Sequence, residues 1–184
     1  DAQPFLVVAQ QGSDNEDVYT ASTLEALDTA LGEAVHALLE HGLDKPLGQW
    51  LQDDLVLAAL DRYRGDVSRT AAFLGTRSRN VSRWSPKIAT REEERNASAL
   101  WQNSRRLLRE WVRELPQPEQ SPLSLMQDKL MVHVSDQAAH LTAARRAAIM
   151  GVSTPTYNKR FRELAQQSHR RGSSDDHRVR TGDS

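Results

Sequence analysis

Two stretches 76 positions apart share an order of residues that few folds can absorb: AAFLGTRSRNVSRW at residues 71–84 and AAIMGVSTPTYNKR at residues 147–160. Each is a short helix-forming run, a glycine, and a second run whose outer positions are basic. A glycine between two such runs predicts a residue at positive φ, hence a sharp turn between two helices and not one continuous helix. The register is fixed from Val67 onward. Arg69 pairs with Arg145, Ala71 with Ala147, Ala72 with Ala148, Leu74 with Met150, Gly75 with Gly151 and Arg83 with Lys159. Upstream, PLGQWLQDDLV (46–56) resembles PLSLMQDKLM (122–131), with Asp53-Asp54-Leu55 against Asp128-Lys129-Leu130 at an offset of 75. The chain therefore reads as an internal duplication.

Helical periodicity fills most of the remaining sequence and predicts an all-α fold. Residues 1–21 read as an irregular acidic leader, in which PFLVVA could form a short strand but has no visible partner. Ser22-Thr-Leu-Glu25 is a capping box, and the apolar residues from Leu24 to Leu39 follow at helical spacing up to a C-terminal cap at Gly42. Helices are expected over Asp53–Tyr63, over 67–74, and over 78–84, where Ser85-Pro86 should stop the chain. Residues 22–88 thus form a first helical unit, with its helix-turn-helix at about 67–85. Residues 85–96, SPKIATREEERN, are polar, and 89–96 read as a connector. Residues 97–167 form a second unit, opening on a long amphipathic helix (97–115), broken at PQPEQSP, and ending in a helix-turn-helix at about 142–164. Residues 168–184 read as a disordered polar tail.

Composition narrows the function. Of 184 residues 38% are hydrophobic and 27% charged, enough for a modest core. No apolar run approaches the roughly 18 residues of a membrane span, and no secretory signal is visible. The chain lacks an initiating Met and reads as a fragment or a processed product. Without cysteine there is no disulfide, thiolate metal site or Cys nucleophile. The net charge of −1 conceals a pattern. Residues 1–61 hold twelve acids against one base, whereas 62–88 and 142–171 each hold seven bases against one acid. Two basic islands in an acidic or neutral background suit a polyanionic partner, although solvated helix faces would produce the same count.

Helix, tight turn and helix at a steep angle need a small residue at the crossing, a positive-φ residue in the turn, and apolar anchors on the second helix. Ala71 and Ala147 fit the crossing, Gly75 and Gly151 the turn. Val81 with Trp84, and Tyr157 with Phe161, fit the anchors. Ser78, and Ser153 or Thr154, could cap the second helices, with Pro155 in a first turn. Facing outward are Arg77, Ser78, Arg79, Asn80, Ser82 and Arg83 in one copy. Ser153, Thr154, Thr156, Asn158, Lys159, Arg160 and Arg162 do so in the other. These are the side-chain types that contact DNA: Arg and Lys at guanine or phosphate, Asn at adenine, Ser and Thr at either.

At these residues the chain resembles the Fis-type helix-turn-helix that ends NtrC-family bacterial enhancer-binding regulators. Copy one offers Leu55-Val56-Leu57-Ala58-Ala59-Leu60, Gly65-Asp66 and Ala71-Ala72-Phe73-Leu74-Gly75; copy two offers Ala147-Ala148-Ile149-Met150-Gly151-Val152, then Thr156-Tyr157. The resemblance covers about 53–85 and 128–164. It implies a bacterial, cytoplasmic, nucleoid-associated transcription regulator that inserts recognition helices into the major groove of double-stranded DNA. It also implies that the helices before each turn mediate dimerisation. Residues 23–42 and 97–115 would then pack on each other and make the chain an internal pseudo-dimer; an ordinary homodimer is the alternative. Thr76 replaces the family's aliphatic residue, His140-Leu141 replaces Gly-Asn, and Thr154 stands where an Arg is usual. The family's ATPase domain and its phosphate loop are absent from the sequence, so this chain alone would not remodel RNA polymerase, though polymerase or other regulators are possible partners.

No catalytic constellation, metal-ligand spacing or cofactor motif emerges. His36 with His41, and His133 with His140, lack the i, i+4 spacing of a helical metal pair and read as surface histidines. Glu92–Glu94 reads as an exposed charge run. The rival to DNA binding is a helical protein–protein interaction module, or an anti-activator, derived from the same fold.

Overall fold

The computed structural model describes the backbone of residues 3–179 and the side chains of residues 21–172. All its regular elements are helical: α1 (Gln3–Glu40), α2 (Leu47–Arg62), α3 (Val67–Leu74), α4 (Ser78–Thr90), α5 (Glu92–Ala97), a 3-10 turn (Ala99–Trp101), α6 (Gln102–Glu114), α7 (Pro122–Gln137), α8 (Ala143–Met150) and α9 (Thr154–Val179). The all-α reading is met, and several boundaries move. Helix α1 begins at Gln3, so the expected leader and strand are helical and the Ser22–Glu25 capping box lies inside the element. A capping box marks a start only where the chain before it leaves the helix. No proline lies between Pro4, in the first turn, and Ser22 to force that. Helix α2 starts six residues earlier than expected, immediately after Pro46, and α7 starts at Pro122, inside the expected break. Helix α9 continues to Val179, so most of the expected tail is helical, and residues 180–184 lie outside the described span.

Local chemistry explains the breaks. Gly42, at φ 59, closes α1 with Leu43 N–H donating back to the Leu38 carbonyl at 3.0 Å. The Asp66 carboxylate caps α3 by accepting from Arg69 N at 3.0 Å, and Thr142 caps α8 by accepting from Arg145 N at 3.3 Å. Ser121 accepts from Ser124 N at 3.1 Å and puts Pro122 in the first turn of α7, where its missing N–H costs nothing.

The core is a four-helix arrangement in which the two halves of the chain interleave. Helix α1 packs on α6 and α7; α6 packs on α1 and α2; α2 meets α7. The buried stripe of α1 (Leu27, Leu31, Val35, Leu38) therefore finds its main cover in the second half of the chain and not on α2. Trp101 and Trp111 are buried, as is Trp50, whose ring lies 6.1 Å from that of Trp101. Each such side chain removed from water contributes about 1.5–3 kcal/mol. The α1–α7 seam also has polar fasteners. His133 Nε2 lies 2.8 Å from Asp28 Oδ1, and Gln137 Nε2 donates to the Gly32 carbonyl at 3.0 Å. His133, expected on the open surface, is half-buried in this seam.

Outside the four-helix core, α3 packs between α2 and α4, and α8 packs on α7 and α9. Helix α2 also reaches α8, and α3 reaches α7. Helices α2 and α7 are each 16 residues long, and α3 and α8 are each 8.

Candidate nucleic-acid interface

Both glycine turns have the expected backbone. Gly75 has φ 78 and Gly151 φ 67, in the left-handed region that side chains with a Cβ avoid. In each, the next amide reaches back over the turn: Thr76 N–H to the Ala71 carbonyl at 3.0 Å, and Val152 N–H to the Ala147 carbonyl at 3.1 Å. A second constraint comes from packing. A Cβ at Gly75 would lie 2.5 Å from Ser121 Cβ, at the start of α7, whose Oγ also donates to the Leu74 carbonyl at 2.6 Å. A Cβ at Gly151 would lie 2.9 Å from Gln49, at the start of α2. Each turn thus sits under a helix start from the opposite half of the chain.

Helix α4 follows the first turn. Its N-cap is Arg77, without a side-chain cap, so Ser78 is the first helical residue and not the cap. Arg77, Ser78, Arg79, Ser82 and Arg83 are exposed. Asn80 is half-buried and committed: its Nδ2 donates to Thr76 Oγ1 at 3.0 Å and its Oδ1 accepts from Arg83 Nη2 at 3.3 Å. Thr76 therefore braces the helix start instead of packing as an aliphatic residue would. Val81 is buried, while Trp84 is only half-buried. The helix does not stop at Ser85-Pro86 but runs to Thr90, where Ile88 is a second, buried anchor. Ser85 Oγ bonds the Val81 carbonyl at 2.8 Å beside the proline.

Helix α9 follows the second turn. Ser153 is its cap, accepting from Thr156 N at 3.4 Å and donating its hydroxyl to Thr156 Oγ1 at 2.8 Å. Asn158, Lys159 and Arg162 are exposed; Thr154, Thr156 and Arg160 are half-buried. Arg160 lies close enough to Asp128 on α7 to favour its charged form, so it is turned toward the scaffold as much as outward. Tyr157 is the buried anchor, its hydroxyl 3.2 Å from Ser135 Oγ and its ring under the Arg146 guanidinium at 5.4 Å. Phe161, expected beside it in the core, is 42% exposed. Tyr157 and Phe161 share a stripe, but only the first turns of α9 lie deep enough against α7 and α8 to be covered.

Sequence reasoning missed what holds α4. The supposed connector contains Arg95, which has no exposure to water. Its Nη1 donates to Asp53 Oδ2 at 2.9 Å and to the Ile88 carbonyl at 3.2 Å, and its Nε donates to Asp54 Oδ1 at 3.2 Å. Arg91 makes a two-pronged pair with Asp53, both contacts at 2.8 Å, and that hydrogen bonding raises its guanidinium pKa against the opposing effect of burial. Trp101 Nε1 donates to Asp54 Oδ2 at 2.6 Å, and Arg105 Nε lies 3.5 Å from Asp54 Oδ1. The end of α4 and all of α5 are thereby tied to α2. Two visible signals could have found this: adjacent aspartates between Leu51 and Leu55 on an otherwise apolar face, and Arg91 and Arg95 one turn apart.

The basic islands are therefore unequal in availability. Arg62 caps the end of α6, donating to the Val112 and Leu115 carbonyls at 2.7 and 2.5 Å, and so serves the scaffold. Arg77, Arg79, Arg83, Lys159 and Arg162 remain exposed on α4, α9 and the turn before α4. No protein-family model, curated protein or solved structure matches this chain. What the surface can do follows from its own geometry: two helices, each seated by a buried anchor behind a left-handed glycine, present cations and hydrogen-bonding side chains outward.

Proposed function

We propose that the chain is a sequence-specific double-stranded DNA-binding transcription regulator, or the DNA-binding part of one. It is built from two Fis-like helix-turn-helix units joined as an internal pseudo-dimer in the bacterial cytoplasm. One observation carries the reading. The packing of α1–α4 is matched by that of α6–α9: α1 lies on α7 as α6 lies on α2, α2 reaches α8 as α3 reaches α7, and each glycine turn meets the opposite helix start. Such an arrangement supports a pair of recognition helices held by one rigid core, the geometry that addresses half-sites about one DNA turn, roughly 34 Å, apart.

Exposed Arg77, Arg79 and Arg83 on one unit, and Asn158, Lys159 and Arg162 on the other, are the side chains assigned to DNA. Asn80, Ser153 and Thr156 act first as braces of their helix starts. An electrophoretic shift at a series of salt concentrations tests the proposal. Contacts to several phosphates require affinity to fall steeply with salt. Arg79→Ala and Lys159→Ala should each weaken binding by about tenfold or more if they reach base edges. Absence of a shift at about 50 mM salt with a broad promoter pool would favour the protein-interaction reading. Unchanged affinity in both variants would remove the residue assignment.

A further inference from the structure

The two halves differ in what covers them. Along α2, Trp50 packs on Trp101 and Asp53 pairs with Arg91 and Arg95, so the segment from Arg91 to Trp101 closes over Trp50 and Asp53, whereas Leu57 stays half-buried. Trp50, Asp53 and Arg95 are fully buried and Ile88 nearly so. The corresponding positions, 75 later on α7 and 76 later on α9, are Leu125, Asp128, Val132 and Leu164. These line an open cleft of about 510 Å³. Leu125, Asp128 and Leu164 are half-buried, and Val132 is 48% exposed. Phe161, one turn before Leu164, adds to the same apolar stripe. Val132 and Phe161 are two of the three large hydrophobic side chains left exposed among the described residues. Helix α9 runs straight on to Val179 instead of breaking into a covering element as α4 does before α5.

The polar group in the cleft is as incomplete as the apolar ones. Asp53 accepts hydrogen bonds from Gln49, Arg91 and Arg95. Asp128 makes no hydrogen bond or ion pair to a described residue; Arg160 and Glu163 act on it through space, and Lys129, which pairs with Asp28, and Arg171 line the same cleft. Burial, together with the nearby Glu163, raises the Asp128 carboxyl pKa despite the Arg160 cation.

We propose that the α7–α9 cleft docks a short amphipathic helix of another protein, one that brings an apolar or aromatic anchor to Leu125 and Leu164, beside Val132, and an arginine to Asp128. The chemistry is that of the filled counterpart, where Trp101 meets Trp50 and Arg91 and Arg95 meet Asp53. It rests on the correspondence between the halves and not on DNA binding. A helix laid into an apolar groove, with one charged contact fixing its register, is a common mode of partner capture.

The probe is a labelled peptide of residues 86–101 of this chain, which carries Arg91, Arg95 and Trp101, titrated into the full chain by fluorescence anisotropy. Saturable binding is expected, weakened about tenfold or more by Val132→Asp and by Asp128→Asn. Val132 is exposed, so its replacement leaves the core intact, and neither variant should alter the DNA shift. No saturable binding, or binding that both variants leave intact, would overturn the proposal. So would a dimer in sedimentation equilibrium that Val132→Asp dissolves, because the occupant would then be a second copy. Failure of the DNA reading registers separately, as a missing shift in the unmodified chain.

Discussion

Arg95 has no contact with water, and its charge is balanced by Asp53 and Asp54 together. Removing one member of a buried charge cluster leaves the rest uncompensated. Arg95→Met should cost about 3–5 kcal/mol, measured by chemical denaturation. A loss under about 1 kcal/mol, the range of exposed pairs, would mean that water reaches the aspartates. Asp128 makes the opposite prediction. Its carboxyl pKa is raised, first by burial, so the folded state favours the protonated form and ionisation at neutral pH costs stability. Asp128→Asn should therefore unfold at a higher temperature than the parent at pH 7. The advantage should fade as pH falls through the raised pKa and vanish below the ordinary carboxylate range. The glycines separate two causes. A Cβ at Gly65 meets nothing, so Gly65→Ala carries only the left-handed strain of about 1–2 kcal/mol; Gly75→Ala adds the clash with Ser121 and should lose more in the same assay. Both turn glycines were legible because positive φ has a sequence signature. The Asp–Arg cluster was not, because the partners of Asp53 lie 38 and 42 positions away and only folding decides that a charge is buried.

At the scale of elements, periodicity found the helices of the two turns, but it missed α5 in the expected connector and the early turns of α1 in the expected leader. It also read 97–115 as one helix where Ser98 and the 3-10 turn Ala99–Trp101 divide the chain before α6. Pro86 predicts a stop because a proline forfeits a backbone hydrogen bond. Helix α4 continues past it, with Ile88 buried in the core and its carbonyl accepting from Arg95 Nη1 at 3.2 Å. The far end of α4 is thus an anchor for its exposed near end. Ile88→Ala should cost about 2–4 kcal/mol and speed amide hydrogen exchange across Ser78–Trp84 more than across α9. Equal acceleration in both helices would mean that the loss is global and that Ile88 does not act on α4 in particular. Tyr157 and Phe161 teach the same lesson in reverse. Spacing placed both on the inner stripe of α9, but a stripe is buried only as far as its neighbours extend, and those neighbours are invisible in the sequence.

Across the whole molecule, the expected packing of the 23–42 and 97–115 helices on each other is observed as α1 on α6. The exchange of α1 and α6 between halves was not foreseen, because nothing in a helix's own sequence names its partner. If the chain is the internal pseudo-dimer proposed above, light scattering should return the mass of one chain for a species that protects two half-sites. The seams carry opposite charge order: Asp54 on α2 faces Arg105 on α6, whereas Lys129 on α7 faces Asp28 on α1. Pairing α1 with α2, or α6 with α7, would set like charges together, so the pattern favours the observed partners.

The interleaving also imposes a timetable. Asp28 bonds a histidine 105 residues downstream, and the apolar stripe of α1 is covered by helices made only after residue 101. During synthesis the first helix must wait, its leucines wet, until most of the chain has left the ribosome. Nascent chains halted at residue 88 should be cut readily within α1 by a protease, and chains released at full length should resist. The same delay makes the first half the segment that most needs shelter while it is born.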